Sequence, residues 1–174
     1  MEALLMRKGS FFSVLVATLL LLVTYPALAQ DSVVVLTGAE LSRVVPPGFY
    51  FQGLSAATQA RNSVAARFGP KRYVIAGLVD TAGYASEVRA KYQGFLITDS
   101  PIKINGSALA PGAYGFGVSN DGKFGVLDLT AGEVLSVATT KDAELQRPRP
   151  LMMTKSSDGV RLYSGKDYVV ITAN

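Results

Sequence analysis

The chain reads as a mainly β protein, an antiparallel sandwich or barrel of about eight to ten short strands with one amphipathic helix. Three observations carry that reading. From residue 92 to residue 172, short runs rich in aliphatic and aromatic residues follow one another at close intervals. They are punctuated by Asn105-Gly106, Asp121-Gly122, Ala131-Gly132, Asp158-Gly159 and Gly165, which accept the positive φ values that tight hairpin turns need. Helical periodicity is confined to residues 55–68, whereas a βαβ protein would alternate strands with helices throughout.

The first 29 residues stand outside this domain. Arg7 and Lys8 precede an apolar run over residues 11–23, and Pro26 then leads to the small-x-small triplet Ala27-Leu28-Ala29. As a helix at about 1.5 Å per residue the run covers only about 20 Å, short of the roughly 30 Å hydrocarbon core of a bilayer. Residues 1–29 are therefore expected to be a signal peptide cleaved after Ala29, touching the membrane only during export. The product is a secreted or periplasmic domain of residues 30–174, undivided by linker or repeat.

Composition narrows the chemistry. The chain has no cysteine and no histidine, which excludes disulfides, Ser-His-Asp and Cys-His nucleophile systems, and zinc sites of imidazole or thiolate. The formal net charge is +4 over 174 residues, too small for a nucleic-acid binder. No cofactor signature and no metal loop is visible, so the expected partner is a protein, a glycan or a small molecule. Arg147-Pro148-Arg149-Pro150 reads as an extended surface connector.

Along the mature chain, residues 31–41 suggest a strand or an extended lead-in. Pro46-Pro47-Gly48 forms a turn before the short aromatic strand Phe49-Tyr50-Phe51. In the helix expected at 55–68, Ala57, Ala60, Val64 and Phe68 share one stripe, Ser55 is the N-cap, and Gly69-Pro70 ends it. Residues 71–80 read as a central strand covered on both faces. Glu87 to Tyr92 is either a helical turn or already strand. Further strands are expected at about 92–98, 101–105, 112–119, 123–129, 133–139, 150–155, 159–164 and 167–172.

Residues 112–129 carry Gly112, Gly115, Gly117, Gly122 and Gly125, and invite comparison with a phosphate loop. A dinucleotide fingerprint needs a third glycine at position 120, where Asn120 stands, and a helix next, where a strand is expected. A hairpin explains the glycines better. With Asp121-Gly122 as a two-residue turn, Phe116 faces Leu127 and Tyr114 faces Leu129, giving one core face. Gly115 and Gly117 then point the other way, beside Phe124, Val126 and Asp128, where close packing by a neighbour is expected.

Residues 102–118 combine Ile102, Ile104, Asn105-Gly106, Leu109, Gly112 and Tyr114. This segment resembles an element of an exported bacterial β-sandwich family of unassigned function. The resemblance implies a secreted β-rich domain and supplies no catalytic residues.

Leu78-Val79-Asp80-Thr81-Ala82-Gly83 approaches the aspartic-protease turn, but its glycine is displaced by one residue and no second copy exists. Asp80 is expected to accept backbone amides in a strand-ending turn. A carboxylate-dependent hydrolase would need two or more of Asp80, Glu87, Asp99 and Asp128 to converge in an open cleft. A carrier for a small apolar ligand would need a cavity lined by Tyr114, Phe116, Leu127 and Leu129. The leading expectation is a non-enzymatic exported domain with a binding or structural role. Its contact surface would combine Tyr50, Gln52, Arg61, Asn62, Asp80, Tyr84 and Arg89.

Overall fold

The computed structural model describes residues 33–157 and 159–173. The expected signal peptide, residues 1–29, and Asp158 lie outside the described residues. Fourteen strands occur among the described residues, more than the eight to ten expected, and every pairing is antiparallel. They are β1 (Val33–Val35), β2 (Gly48–Phe51), β3 (Leu54–Phe68), β4 (Arg72–Val79), β5 (Gly94–Thr98), β6 (Ile102–Ile104), β7 (Ser107–Leu109), β8 (Gly112–Val118), β9 (Lys123–Leu127), β10 (Glu133–Ala138), β11 (Thr140–Lys141), β12 (Arg149–Ser156), β13 (Gly159–Gly165) and β14 (Asp167–Ala173).

Two sheets form a sandwich. The larger runs β1-β3-β4-β5-β8-β9-β10, with β2 paired to the start of β3. The smaller runs β12-β13-β14-β6-β7, with β11 paired to β14. The core between them includes Phe68, Leu96, Ile104, Phe116, Val126 and Leu162, and the Phe116 and Phe124 rings stack at 5.3 Å. Strands of both sheets contribute alternate residues to this core, as a pleated chain requires.

The expected helix at 55–68 is instead β3, so that expectation is corrected. The stripe of alanines fits a helix, but Val64, Ala66 and Phe68 also alternate with Ala65, and both sets are used. The first set faces the inter-sheet core and Ala65 faces the opposite side. Pairing with β1 on one side and β4 on the other overrides alanine's helical preference. The register slips between Thr58 and Ser63, leaving Gln59 to Asn62 as a bulged segment. Within it Asn62 Nδ2 donates to Gln59 Oε1 at 2.8 Å, and Gln59 Nε2 reaches across to the Val79 carbonyl of β4 at 3.0 Å.

A second core lies on the outer face of the larger sheet. The helix Gly38–Val44, strand β2 and the segment through the helical turn Ser86–Arg89 cover that face. Phe49 stacks on Phe95 at 5.2 Å and Phe51 on Tyr92 at 3.9 Å, with Tyr84 edge-on to both Phe51 and Tyr92. The larger sheet is thus covered on both faces across β3, β4 and β5, as the apolar sequence of β4 anticipates. This third layer reaches as far as Leu127 at the end of β9.

The β8–β9 register also differs from expectation by one residue. Gly122 N–H donates to Ser119 O at 3.0 Å, Ser119 N–H to Lys123 O at 2.9 Å, and Gly122 has φ of 76°. This is a three-residue loop in which a type I turn is followed by a left-handed glycine, not a two-residue turn. Phe116 therefore faces Val126, Val118 faces Phe124, and Gly117 faces Gly125. A one-residue slip exchanges the faces of a strand. Phe124 and Val126 join the inter-sheet core, while Leu127 belongs to the outer one and Leu129 is 39% exposed.

Candidate functional site

The corrected register places glycines and bulky side chains in adjacent rows on the outer face of the larger sheet. In one row, a Cβ on Gly115 would lie 2.5 Å from the Phe51 ring. The ring covering this glycine comes from β2, across the fold, and not from β9. In the next row, a Cβ on Gly117 would lie 2.3 Å from the Lys91 carbonyl oxygen, so the backbone of residues 91–92 rests on that glycine. Gln93 holds this covering segment in place. Its side-chain amide donates to Val118 O and accepts from Val118 N–H, both at 3.1 Å, continuing the ladder ahead of the first residue of β5.

Beyond Gly117 the cover ends. Gly125 pairs with Gly117 on one side and Ser136 on the other, so the row across β8, β9 and β10 has no side chain larger than serine. A Cβ on Gly125 would meet nothing nearer than the Gly117 carbonyl oxygen at 3.9 Å. The result is an open groove of about 350 Å³ running from Lys91 to the β10 edge. This lies toward the small end of the roughly 300–1,000 Å³ usual for small-molecule sites.

Charged groups of both signs, Lys91, Asp121, Lys123 and Glu133, line the groove. Lys123 Nζ lies 2.9 Å from Asp121 Oδ2. The Ser119 hydroxyl also bonds to Asp121 Oδ1. That hydroxyl, followed by Lys123, holds the Asp121 carboxyl below its usual range, while Asp121, with a smaller contribution from Glu133, raises the Lys123 ammonium. On the other side, Lys91 Nζ donates to Ala131 O at 3.2 Å, two residues before Glu133. The loop that holds Ala131 is fixed by Asp128, whose Oδ1 accepts from Thr130 Oγ1 at 2.6 Å, Thr130 N–H at 2.8 Å and Gly132 N–H at 3.0 Å. The Thr130 hydroxyl, then the two amides, lowers the Asp128 carboxyl from its usual value.

The seven residues expected to form a contact surface separate into distinct settings. Tyr50, 58% exposed, and Gln52 lie at the β2–β3 hairpin, where Gln52 N–H donates to Leu129 O at 2.9 Å. Tyr84 is only 7% exposed and belongs to the outer core; its hydroxyl lies 3.1 Å from both the Phe51 and Leu54 carbonyl oxygens. Arg61 and Asn62 occupy the bulged part of β3, and Arg89 is exposed on its helical turn. Asp80 accepts from Ala82 N–H at 3.0 Å in the strand-ending turn the sequence suggested.

The four carboxylates named for a hydrolase do not share one site, and the four residues named for an apolar cavity do not line one. Asp99 accepts from Tyr73 N–H at 2.8 Å, at the start of β4, whereas Asp80 follows its end; seven residues of strand separate the two by roughly 20 Å. Phe116 and Leu127 face opposite sides of the sheet, so the four residues named for an apolar cavity do not line a common one. Between the sheets, the gap bounded by Phe116, Phe124, Leu151 and Leu162 has no room for a water molecule. Among the described residues, no group of three or more Asp and Glu is placed to hold a metal ion.

The groove residues Lys91, Lys123, Gly125, Glu133 and Ser136 escaped the sequence reading. Their signal was the pair Gly117 and Gly125, but the two-residue turn set Gly125 on the wrong face. No protein-family model, curated protein or solved structure matches this chain.

Proposed function

We propose that this protein is an exported, non-enzymatic binding module of the cell envelope or the extracellular space, and that its ligand seat is the groove floored by Gly117, Gly125 and Ser136. The observation carrying this reading is the change in treatment along one sheet face: Phe51 and the 91–92 backbone cover Gly115 and Gly117, while Gly125 is left open. A glycine in a strand weakens it unless something approaches closely. At Gly125 none of the described residues does, which leaves the approach to a ligand.

Export rests on the basic, apolar and small-residue zones of residues 1–29, and the resemblance of residues 102–118 to an exported β-sandwich family fits it. A binding role is supported over catalysis by the way the rim charges are occupied. Asp121 is engaged by Lys123 and Ser119, and Asp128 by its own loop.

The test is a set of amide chemical-shift titrations on the exported chain, using neutral trisaccharides of glucose and of N-acetylglucosamine, N-acetyl-trialanine amide, and inorganic phosphate. At least one probe is expected to move the Gly117, Gly125 and Ser136 amides, and Gly125→Val is expected to abolish the response without lowering stability. Silence of these amides toward all probes overturns the reading, as does a native N-terminus that retains residues 1–29.

A further inference from the structure

We infer that the groove takes an uncharged, hydroxyl-rich ligand, the terminal unit of a glycan chain; this rests on the groove being the ligand seat. The rim charges supply the argument. Lys91, Glu133, Lys123 and Asp121 line the groove, two of each sign, so their sum is zero; Lys123 is paired with Asp121 and feels Glu133 as well. An anion approaching Lys123 meets Asp121, whose oxygen lies 2.9 Å from the same ammonium, and a cation approaching Asp121 meets Lys123. Neither sign of ligand gains. A hydroxyl group donates and accepts at once, so neighbouring hydroxyls on a sugar ring can accept from an ammonium and donate to the adjacent carboxylate. Hydrogen bonds to charged groups are the stronger kind.

The floor agrees with this chemistry. Gly117, Gly125 and Ser136 form a shallow strip without a pocket for a large apolar side chain, and Ser136 and Ser119 add hydroxyl groups of their own. The strip suits the flat face of a ring. Its two ends differ: the Lys91 carbonyl rests on Gly117 and closes one, while the other opens at β10, an edge strand of the larger sheet. A chain entering from the β10 side has to stop at residues 91–92. The groove therefore accepts the end of a glycan and not its middle.

The titrations above distinguish this inference from the reading beneath it. The expected result is that a linear neutral trisaccharide moves the Gly125 and Ser136 amides. Lys123→Gln and Glu133→Gln should each weaken its binding about tenfold, as loss of a hydrogen bond to a charged group does, with unfolding midpoints little changed. A cyclic glucose oligomer, which has no chain end, should leave the groove amides unmoved. Response to N-acetyl-trialanine amide or phosphate alone overturns the ligand class and leaves the seat standing. A cyclic oligomer that binds as well as the linear one overturns end recognition. If every probe is silent, the class and the seat fall together.

Discussion

Gly117 and Gly125 are directly paired across β8 and β9, yet one is sealed by backbone and the other is bare. A Cβ on Gly117 would sit 2.3 Å from Lys91 O, and a carbonyl fixed in the chain cannot swing aside as a flexible side chain can. Gly117→Ala is expected to cost about 1–3 kcal/mol through forced displacement of the covering segment. Gly125→Val has open space and restores a residue suited to strands, so it should be neutral or stabilising by up to about 1 kcal/mol. Urea midpoints of the two variants check the contrast; equal losses would contradict it.

The Tyr84 and Tyr92 hydroxyls lie in the same aromatic cluster and have different fates. Tyr84 has two carbonyl oxygens within 3.1 Å, while Tyr92 Oη is fully buried without hydrogen-bond geometry to any partner among the described residues, although Tyr84 stands close enough to influence its ionisation. Tyr84→Phe should cost about 1–2 kcal/mol, and Tyr92→Phe should gain about 1 kcal/mol by removing a desolvated hydroxyl. Burial first, then Tyr84, raises the Tyr92 phenol far above its ordinary value of 10.0. The unfolded chain then loses this proton before the folded one. The stability linked to it is intact below pH 10 and declines as pH rises toward the folded value, by up to about 1.4 kcal/mol per pH unit. Urea midpoints between about pH 9 and pH 11 should fall less steeply in Tyr92→Phe.

Ala131 occupies, at φ of 70°, the left-handed position that Gly122 fills in the preceding loop. Both loops pair a type I turn with a left-handed residue: Ala131 N–H donates to Asp128 O at 3.0 Å, as Gly122 N–H does to Ser119 O. Alanine is costly there, so Ala131→Gly should stabilise by about 0.5–1 kcal/mol, read as a raised melting temperature. Asp128 holds the loop through its carboxylate. Because that carboxyl is lowered in the fold, its contribution is present above the unfolded value of 3.8 and is lost as pH falls through the folded one. Asp128→Asn should flatten the acid limb of the stability profile.

What sequence reveals here depends on the distance over which a feature is decided. From β5 to β14 every strand except the short β7 and β11 was legible, because alternation and turn residues act within a few positions, and Asn105-Gly106 forms the two-residue turn, both φ values positive, that its composition specifies. The Asp121 loop differs from a two-residue turn by one residue, a choice that Ser119's bonds to Lys123 help fix. That single residue decides whether Leu127 or Val126 faces the inter-sheet core. β3 was misread because alanine serves a helix stripe and two strand faces alike. The third layer was hidden for a different reason: Phe51 finds Gly115, and Lys91 finds Gly117, only after the chain has folded. Without those contacts the uncovered Gly125, and hence the candidate site, carries no local mark.

Asn105 joins the two sheets at one edge. Its Oδ1 accepts from Val170 N–H at 2.7 Å in the smaller sheet, its Nδ2 donates to Ala138 O at 2.8 Å in the larger, and its own N–H donates to Val170 O at 2.9 Å. The residue also holds φ of 47°, which asparagine tolerates better than most side chains. Asn105→Gly keeps the backbone conformation and removes both side-chain bonds, an expected loss of about 1–3 kcal/mol. Asn105→Ala adds the left-handed penalty of about 1–2 kcal/mol and should be the less stable of the two. Urea unfolding separates the backbone contribution from the side-chain one. Amide exchange then locates it: Val170 N–H loses its Asn105 partner in both variants and should exchange faster, relative to the core amide of Val169, than in the parent chain. A Val170 amide as protected as before would mean that the turn is held by its backbone alone.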